Sequence, residues 1–136
     1  MNTDVQKIFA LRLHPGQDLK KSLFEFVNNQ NILAGYVITC VGSLQQACIR
    51  YAGRSEAVIN HERFEIVSLT GTLCPDGLHL HISLADSEGQ VTGGHLMDEN
   101  LIYTTAEIAI GNAAGIEFKR RQDEATGYKE LNIRAV

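Results

Sequence analysis

Apolar and polar positions alternate along most of this chain, and one segment breaks the alternation with helical spacing. Leu78, Leu80, Ile82 and Leu84 fall on one parity, and His79, His81 and Ser83 on the other. Period two is the signature of a half-buried strand, because successive side chains point to opposite faces. The spacing changes after His14-Pro15-Gly16-Gln17, a strong stop. Leu19, Leu23, Phe26 and Val27 then recur at i, i+4, i+7 and i+8, one stripe of an amphipathic helix. Asp18 stands at its N-cap, and Asn28-Asn29-Gln30-Asn31 ends it.

Strands are expected on both sides of this helix. Val5 to His14 precedes it. Ala34 to Val41 follows, and Gly42-Ser43 is expected to break the chain before a further strand from Gln46 to Tyr51. Ala52 to Ser55 reads as a turn and Ala57 to Asn60 as a short edge strand. Phe64 to Leu73 is a strand whose Gly71 hints at a bulge or close backbone contact. Cys74-Pro75-Asp76-Gly77 is a turn, and Asp86 to Gln90 a hairpin loop. Leu101 to Ile110 is strand-like, Gly111 to Gly115 a small-residue loop, and Ile116 to Arg120 alternates. Ala125 to Tyr128 turns the chain into Leu131 to Val136. One helix among many antiparallel strands is an α+β domain, expected to span 1–136 as a single compact unit.

Composition narrows the function classes. A chain of 136 residues with 44% hydrophobic and 21% charged content can build one real core. No apolar run reaches the ~18 residues of a membrane span. Met1-Asn2-Thr3-Asp4 lacks the pattern of a signal peptide. The three cysteines, Cys40, Cys48 and Cys74, form no Cys-x-x-Cys pair. They fit a reducing compartment, and the cytoplasm is the expected location. Cys40 and Cys48 sit in apolar runs and read as core residues. The net charge of −4, from 12 Lys+Arg against 16 Asp+Glu, argues against a surface-wide nucleic-acid footprint. The basic cluster Lys119-Arg120-Arg121 runs straight into Asp123 and Glu124 and reads as a solvated strand end.

The histidines carry the candidate chemistry. His79 and His81 share one face of a strand, roughly 6.5–7 Å apart along it, within reach of one ion. His95 follows Gly93-Gly94, whose missing side chains permit close backbone approach. The intervening hairpin brings His95 back beside the pair. Three neutral imidazoles with an open fourth position form the ligand set of a catalytic-type zinc site. His14 and His61 have no partner in the sequence and read as surface residues.

Five segments in one order carry a family resemblance. They are Leu11 to Leu19, Val41-Gly42-Ser43-Leu44, Arg63 to Gly71, Leu78 to Leu84 and Gly93-Gly94-His95-Leu96. Together they resemble the plant and prokaryote conserved domain, over about Val5 to Ile133. The resemblance implies a compact α+β domain of antiparallel sheet that associates as a homotrimer. In plants the domain follows AT-hook motifs in nuclear DNA-binding regulators, and a Gly-Arg-Phe-Glu-Ile segment is tied to partner recruitment. Here Arg63, Phe64, Glu65 and Ile66 match that segment, with Glu62 in place of the glycine. The Arg-Gly-Arg-Pro core of the hook does not occur; Gly53-Arg54 is followed by Ser55. The fold is also similar to that of acetolactate decarboxylase, whose zinc is held by a His-x-His pair and a later His. His79, His81 and His95 match that order.

Two functional readings follow. In the first, the chain is a stand-alone trimeric binding module, DNA-binding or transcription-associated, with a three-histidine metal site. Arg63, Phe64, Glu65 and Ile66 then contribute a surface for a protein partner. In the second, it is a zinc-dependent enzyme or small-ligand sensor. His79, His81 and His95 hold the ion, Glu107 or Glu65 shuttles protons, and Arg50 grips an anionic group. The first is favoured, with the metal site as one of its features.

Overall fold

The computed structural model describes residues 1–2 and 5–136, so Thr3 and Asp4 of the N-terminal tetrapeptide lie outside it. Nine strands and one helix are formed among the described residues. In chain order they are β1 (Gln6–Leu13), α1 (Leu19–Asn29), β2 (Gly35–Arg50), β3 (Val58–Asn60), β4 (Phe64–Cys74), β5 (Gly77–Ala85), β6 (Val91–Leu96), β7 (Leu101–Ala113), β8 (Ile116–Gln122) and β9 (Lys129–Ala135).

The main sheet runs β1-β7-β2-β4-β5-β6, with antiparallel pairing between neighbours. It does not stay open. β6 also pairs with the end of β2, through Ile49↔Leu96 and Arg50↔His95. Strands β2, β4, β5 and β6 therefore close on themselves, which covers the free edge of β6. β3 pairs only with β2, as an edge strand should. β8 and β9 form a separate two-stranded ribbon.

The helix closes the core. Leu19, Leu23 and Val27 are fully buried, each contributing ~1.5–3 kcal/mol by leaving water. They join Leu44, Ile49, Leu80, Leu84, Leu96 and Ile110 in one hydrophobic cluster. Asp18 caps the helix as its sequence position implies: its Oδ1 accepts from the Lys21 amide at 3.1 Å. Its Oδ2 accepts from the Glu99 amide at 2.6 Å, which ties the helix start to the loop between β6 and β7. Asn100 in that loop is completely buried. Its side chain bonds both backbone groups of Cys48 and the Met97 carbonyl, so no polar atom is stranded. A smaller cluster of Ala34, Cys74, Ala113 and Phe118 seats the β8–β9 ribbon.

Two sequence expectations are corrected. Gly42-Ser43 does not break the chain; β2 runs unbroken for 16 residues. The glycine is there for contact rather than a turn, since a Cβ at Gly42 would strike the Thr105 carbonyl on β7. Register shifts on both sides of it let the strand bend. Likewise Gly111 to Ala113 continue β7 instead of forming a loop. A Cβ on Gly111 would collide with the Tyr36 ring that covers it. All three cysteines are buried and unpaired, so Cys74 joins the core along with Cys40 and Cys48. Burial pushes the Cys40 thiol up to about 12.

No helix among the described residues is long and apolar enough to cross a membrane.

Candidate metal centre

The β5–β6 hairpin builds the site. Its turn is fixed by Asp86, whose Oδ1 accepts from the amides of Glu88 and Gln90, both at 2.9 Å. That turn sets the register, and the register places His81 directly opposite His95. His79 lies two residues along β5, on the same outward face. Leu80, Ile82 and Leu84 point the other way and are buried. Packing of one parity thus forces the imidazoles of the other outward.

The two glycines before His95 have a steric purpose. A Cβ on Gly93 would meet the Ile82 carbonyl, and one on Gly94 would lie 2.7 Å from the Arg50 carbonyl. β6 therefore fits between β5 and β2 only without side chains there. The result is one row of paired positions across the sheet: Arg50 on β2, His95 on β6, His81 on β5 and Thr70 on β4.

The three rings converge. Their centroids stand 5.0 Å (His79–His81), 5.3 Å (His79–His95) and 5.7 Å (His81–His95) apart. One nitrogen from each lies within 4.8 Å of the others. Nitrogens of a tetrahedral zinc site sit roughly 3.3 Å apart, given Zn–N bonds of about 2.0–2.1 Å. Small rotations of exposed side chains close that difference. The set is three nitrogen donors open to a groove, so the residues fit a divalent ion with a free coordination position.

The electrostatics favour neutral donors. Burial, reinforced by the Arg50 guanidinium, pushes His95 down to about 4. Burial, then the charges on His81 and Arg120, lower His79 as well, against an opposing pull from Glu130. Metal and proton compete for the same lone pair, so lowered imidazoles are ready to ligate at neutral pH. The same shift makes the metal-free fold acid-sensitive. Unfolded His95 takes up its proton near 6.5, whereas folded His95 resists it down to about 4. Between those values the unfolded chain binds more protons, and stability falls as pH falls. The urea midpoint of metal-free protein should therefore be lower at pH 5 than at pH 7. In His95→Gln part of that drop should vanish.

The other candidates divide. Arg50 lines the histidine groove, which encloses about 540 Å³. One of its Nη atoms donates to the Arg54 carbonyl at 3.2 Å. Glu65 and Glu107 do not line it; they share a different groove with Ser43 and Tyr103. Glu65 pairs with Ala85, four residues along β5 from His81, or ~13 Å at the rise of a strand. In the Arg63–Ile66 segment, Phe64 and Ile66 are buried in the core. Only Arg63 and Glu65 are displayed, and the Arg63 guanidinium sits 4.3 Å above the Tyr103 ring. His14 and His61 are exposed and apart from the cluster.

Sequence reasoning missed the ribbon's contribution. Tyr128, Lys129 and Glu130 form one wall of the histidine groove. The turn at Ala125 to Tyr128 is legible in the sequence, but nothing there indicates what it packs beside. The basic cluster is also tied down. Lys119 pairs with Glu117 at 3.5 Å, and the Arg120 guanidinium donates to Thr72 Oγ1 at 2.6 Å.

Comparison with known proteins fits this fold. The family model of the Plants and Prokaryotes Conserved domain matches residues 2–114. The chain belongs to that family. Among solved structures, a hypothetical protein from Salmonella superposes with a TM-score of 0.96 at 36% identity, covering 98% of this chain and 97% of that one. A metal-containing protein from Archaeoglobus fulgidus gives a TM-score of 0.82 at 29% identity, with 96% of each chain covered. A Staphylococcus aureus protein similar to alpha-acetolactate decarboxylase shares the fold at a TM-score of 0.52 and 17% identity, over 84% of this chain and 54% of that one. Among curated relatives, the bifunctional protein GlmU of Synechococcus is 49% identical over 130 residues, 96% of this chain. The chain spans only about a fifth of the length of that relative (21%). An AT-hook motif nuclear-localized protein of Arabidopsis thaliana is 29% identical over 114 residues, 77% of this chain and 34% of that protein.

Proposed function

We propose that this member of the family is a trimeric binding module whose groove holds one zinc ion on His79, His81 and His95. The observation that carries the reading is the meeting of three imidazole nitrogens within 4.8 Å on an exposed strand face. Bound there, zinc supplies a Lewis-acidic position with one exchangeable ligand. The structural neighbour from Archaeoglobus, described as metal-containing, supports the choice of a metal. Nitrogen-only donors favour zinc over magnesium or calcium, which prefer oxygen.

Assembly is proposed to use the apolar residues left outside. Ile8, Ile38, Val41 and Val67 are 64%, 47%, 56% and 55% exposed on β1, β2 and β4. That much exposed aliphatic surface is suited to packing against further copies of the chain. Location in the cytoplasm belongs to the same proposal, supported by three unpaired, buried cysteines.

The reading is of binding rather than turnover. Glu65 and Glu107, proposed above as proton shuttles, line another groove. A zinc enzyme or ligand sensor is the alternative, and Glu130 is the acid that such a reaction would have beside the imidazoles. A nucleic-acid or regulatory protein partner is a second reading, favoured by the Arabidopsis relative. Against direct DNA contact stand the net charge of −4 and the engaged Lys119 and Arg120.

Light scattering coupled to size exclusion tests the module. The expected particle contains three chains at micromolar concentration. A monomer there would remove the trimer and most of the module reading.

A further inference from the structure

The β8–β9 ribbon lies beyond residue 114, where the family match ends. It nonetheless reaches the site. Its seat is fixed by Phe118, whose amide donates to the Leu33 carbonyl at 2.9 Å and whose ring fills the smaller core cluster. Arg120 adds two bonds, from its amide to Asp76 Oδ2 at 3.1 Å and from its guanidinium to Thr72 Oγ1 at 2.6 Å. Thr72 is the register partner of His79, so the ribbon is braced against a histidine position itself. The end of the ribbon then lines the same groove as Arg50 on β2.

The wall is chemically specific. Lys129 is exposed and free to turn toward the opening. Glu130 is half-buried, and its Oε1 accepts from the Thr126 hydroxyl at 2.9 Å, which fixes the carboxylate. The groove lining thus carries two cations, Arg50 and Lys129, against one acid, before any metal charge is added. A volume of about 540 Å³ suits a metabolite-sized ligand. A guanidinium and an ammonium that line one groove can together hold an oxyanion.

We propose that the β8–β9 ribbon is the ligand-recognition wall of the three-histidine groove, and that the ligand is a small oxyanion, carboxylate or phosphate, held between Arg50 and Lys129. This rests on the metal reading only for the ion that the three histidines would hold beside the anion. Lys129 thereby becomes a specificity residue for the site, while the histidines keep the metal.

Titration of zinc-loaded protein with inorganic phosphate, and separately with acetate, tests it by calorimetry. Wild type should bind at least one of the two saturably, and which one identifies the anion class. Lys129→Ala and Arg50→Ala should each weaken that binding about tenfold, the typical weight of a charge-assisted hydrogen bond. Lys7→Ala, on the exposed part of β1, should leave it unchanged. Zinc content should be equal in wild type and Lys129→Ala. Anion affinity that is the same in wild type and Lys129→Ala overturns the proposal, as does wild type that binds neither anion. If wild type takes up no zinc yet loses anion affinity on Lys129→Ala, the metal reading falls and the role of the ribbon stands.

Discussion

His81→Ala should lower zinc affinity by at least about a hundredfold, because outer groups that merely orient a ligand are already worth 10–100-fold. His81 is the strand partner through which the trio is brought together. It is paired in register with His95, and its ring lies 5.0 Å from that of His79. The remaining two nitrogens cannot close a zinc site, and water would have to supply the rest. The fold should hardly notice. The side chain is exposed, and exposed substitutions usually change stability by less than ~0.5 kcal/mol. Competition with a chromophoric chelator reads the affinity, and a urea titration of the metal-free protein reads the stability. A variant that kept wild-type zinc affinity would show that the ion, if any, is held elsewhere.

Gly71→Ala should do the reverse, damaging the fold first and the site through it. Gly71 adopts φ +150, a region that side chains avoid. A Cβ there would also run into the backbone carbonyl of His79, on the neighbouring strand β5. Backbone strain and overpacking each cost about 1–3 kcal/mol, so the sum is roughly 2–6 kcal/mol. For a domain of this size that is a fall in Tm on the order of 10 °C. Relief of the clash must push β5 away from β4 at the position that carries His79. Metal affinity should therefore fall too, although no ligand has been touched. Thermal melts of metal-free protein, with zinc affinity measured below the transition, check both effects. An unchanged Tm would mean that β4 and β5 do not meet at Gly71 as described.

The legibility of this chain follows from the range of the forces involved. Strict alternation over Leu78 to Leu84 is local, and it was enough to put two imidazoles on one exposed face. The helix was equally plain, because its stripe and its Asp18 cap are encoded within a few residues. What the sequence hid was long-range. Gly42 and Gly111 look like turn residues, yet they are glycines because β7 and Tyr36 press against them. The closure of β6 onto β2 depends on Gly94 meeting Arg50, positions far apart in the chain. Arg50 could be guessed as a site residue from its charge, but its register with His95 could not. Glu65 and Glu107 are acids on strands, and chemistry alone cannot tell which groove a strand residue lines. Tyr128, Lys129 and Glu130 carried no signal because a two-stranded ribbon can be set against any part of a sheet.

Native mass spectrometry of untagged protein, exchanged into a volatile buffer with one equivalent of zinc per chain, tests the central claim most directly. One ion bound per chain in wild type, and none in His81→Ala, is the predicted result. Wild-type chains that emerge without metal, or that hold as much as His81→Ala does, would contradict it.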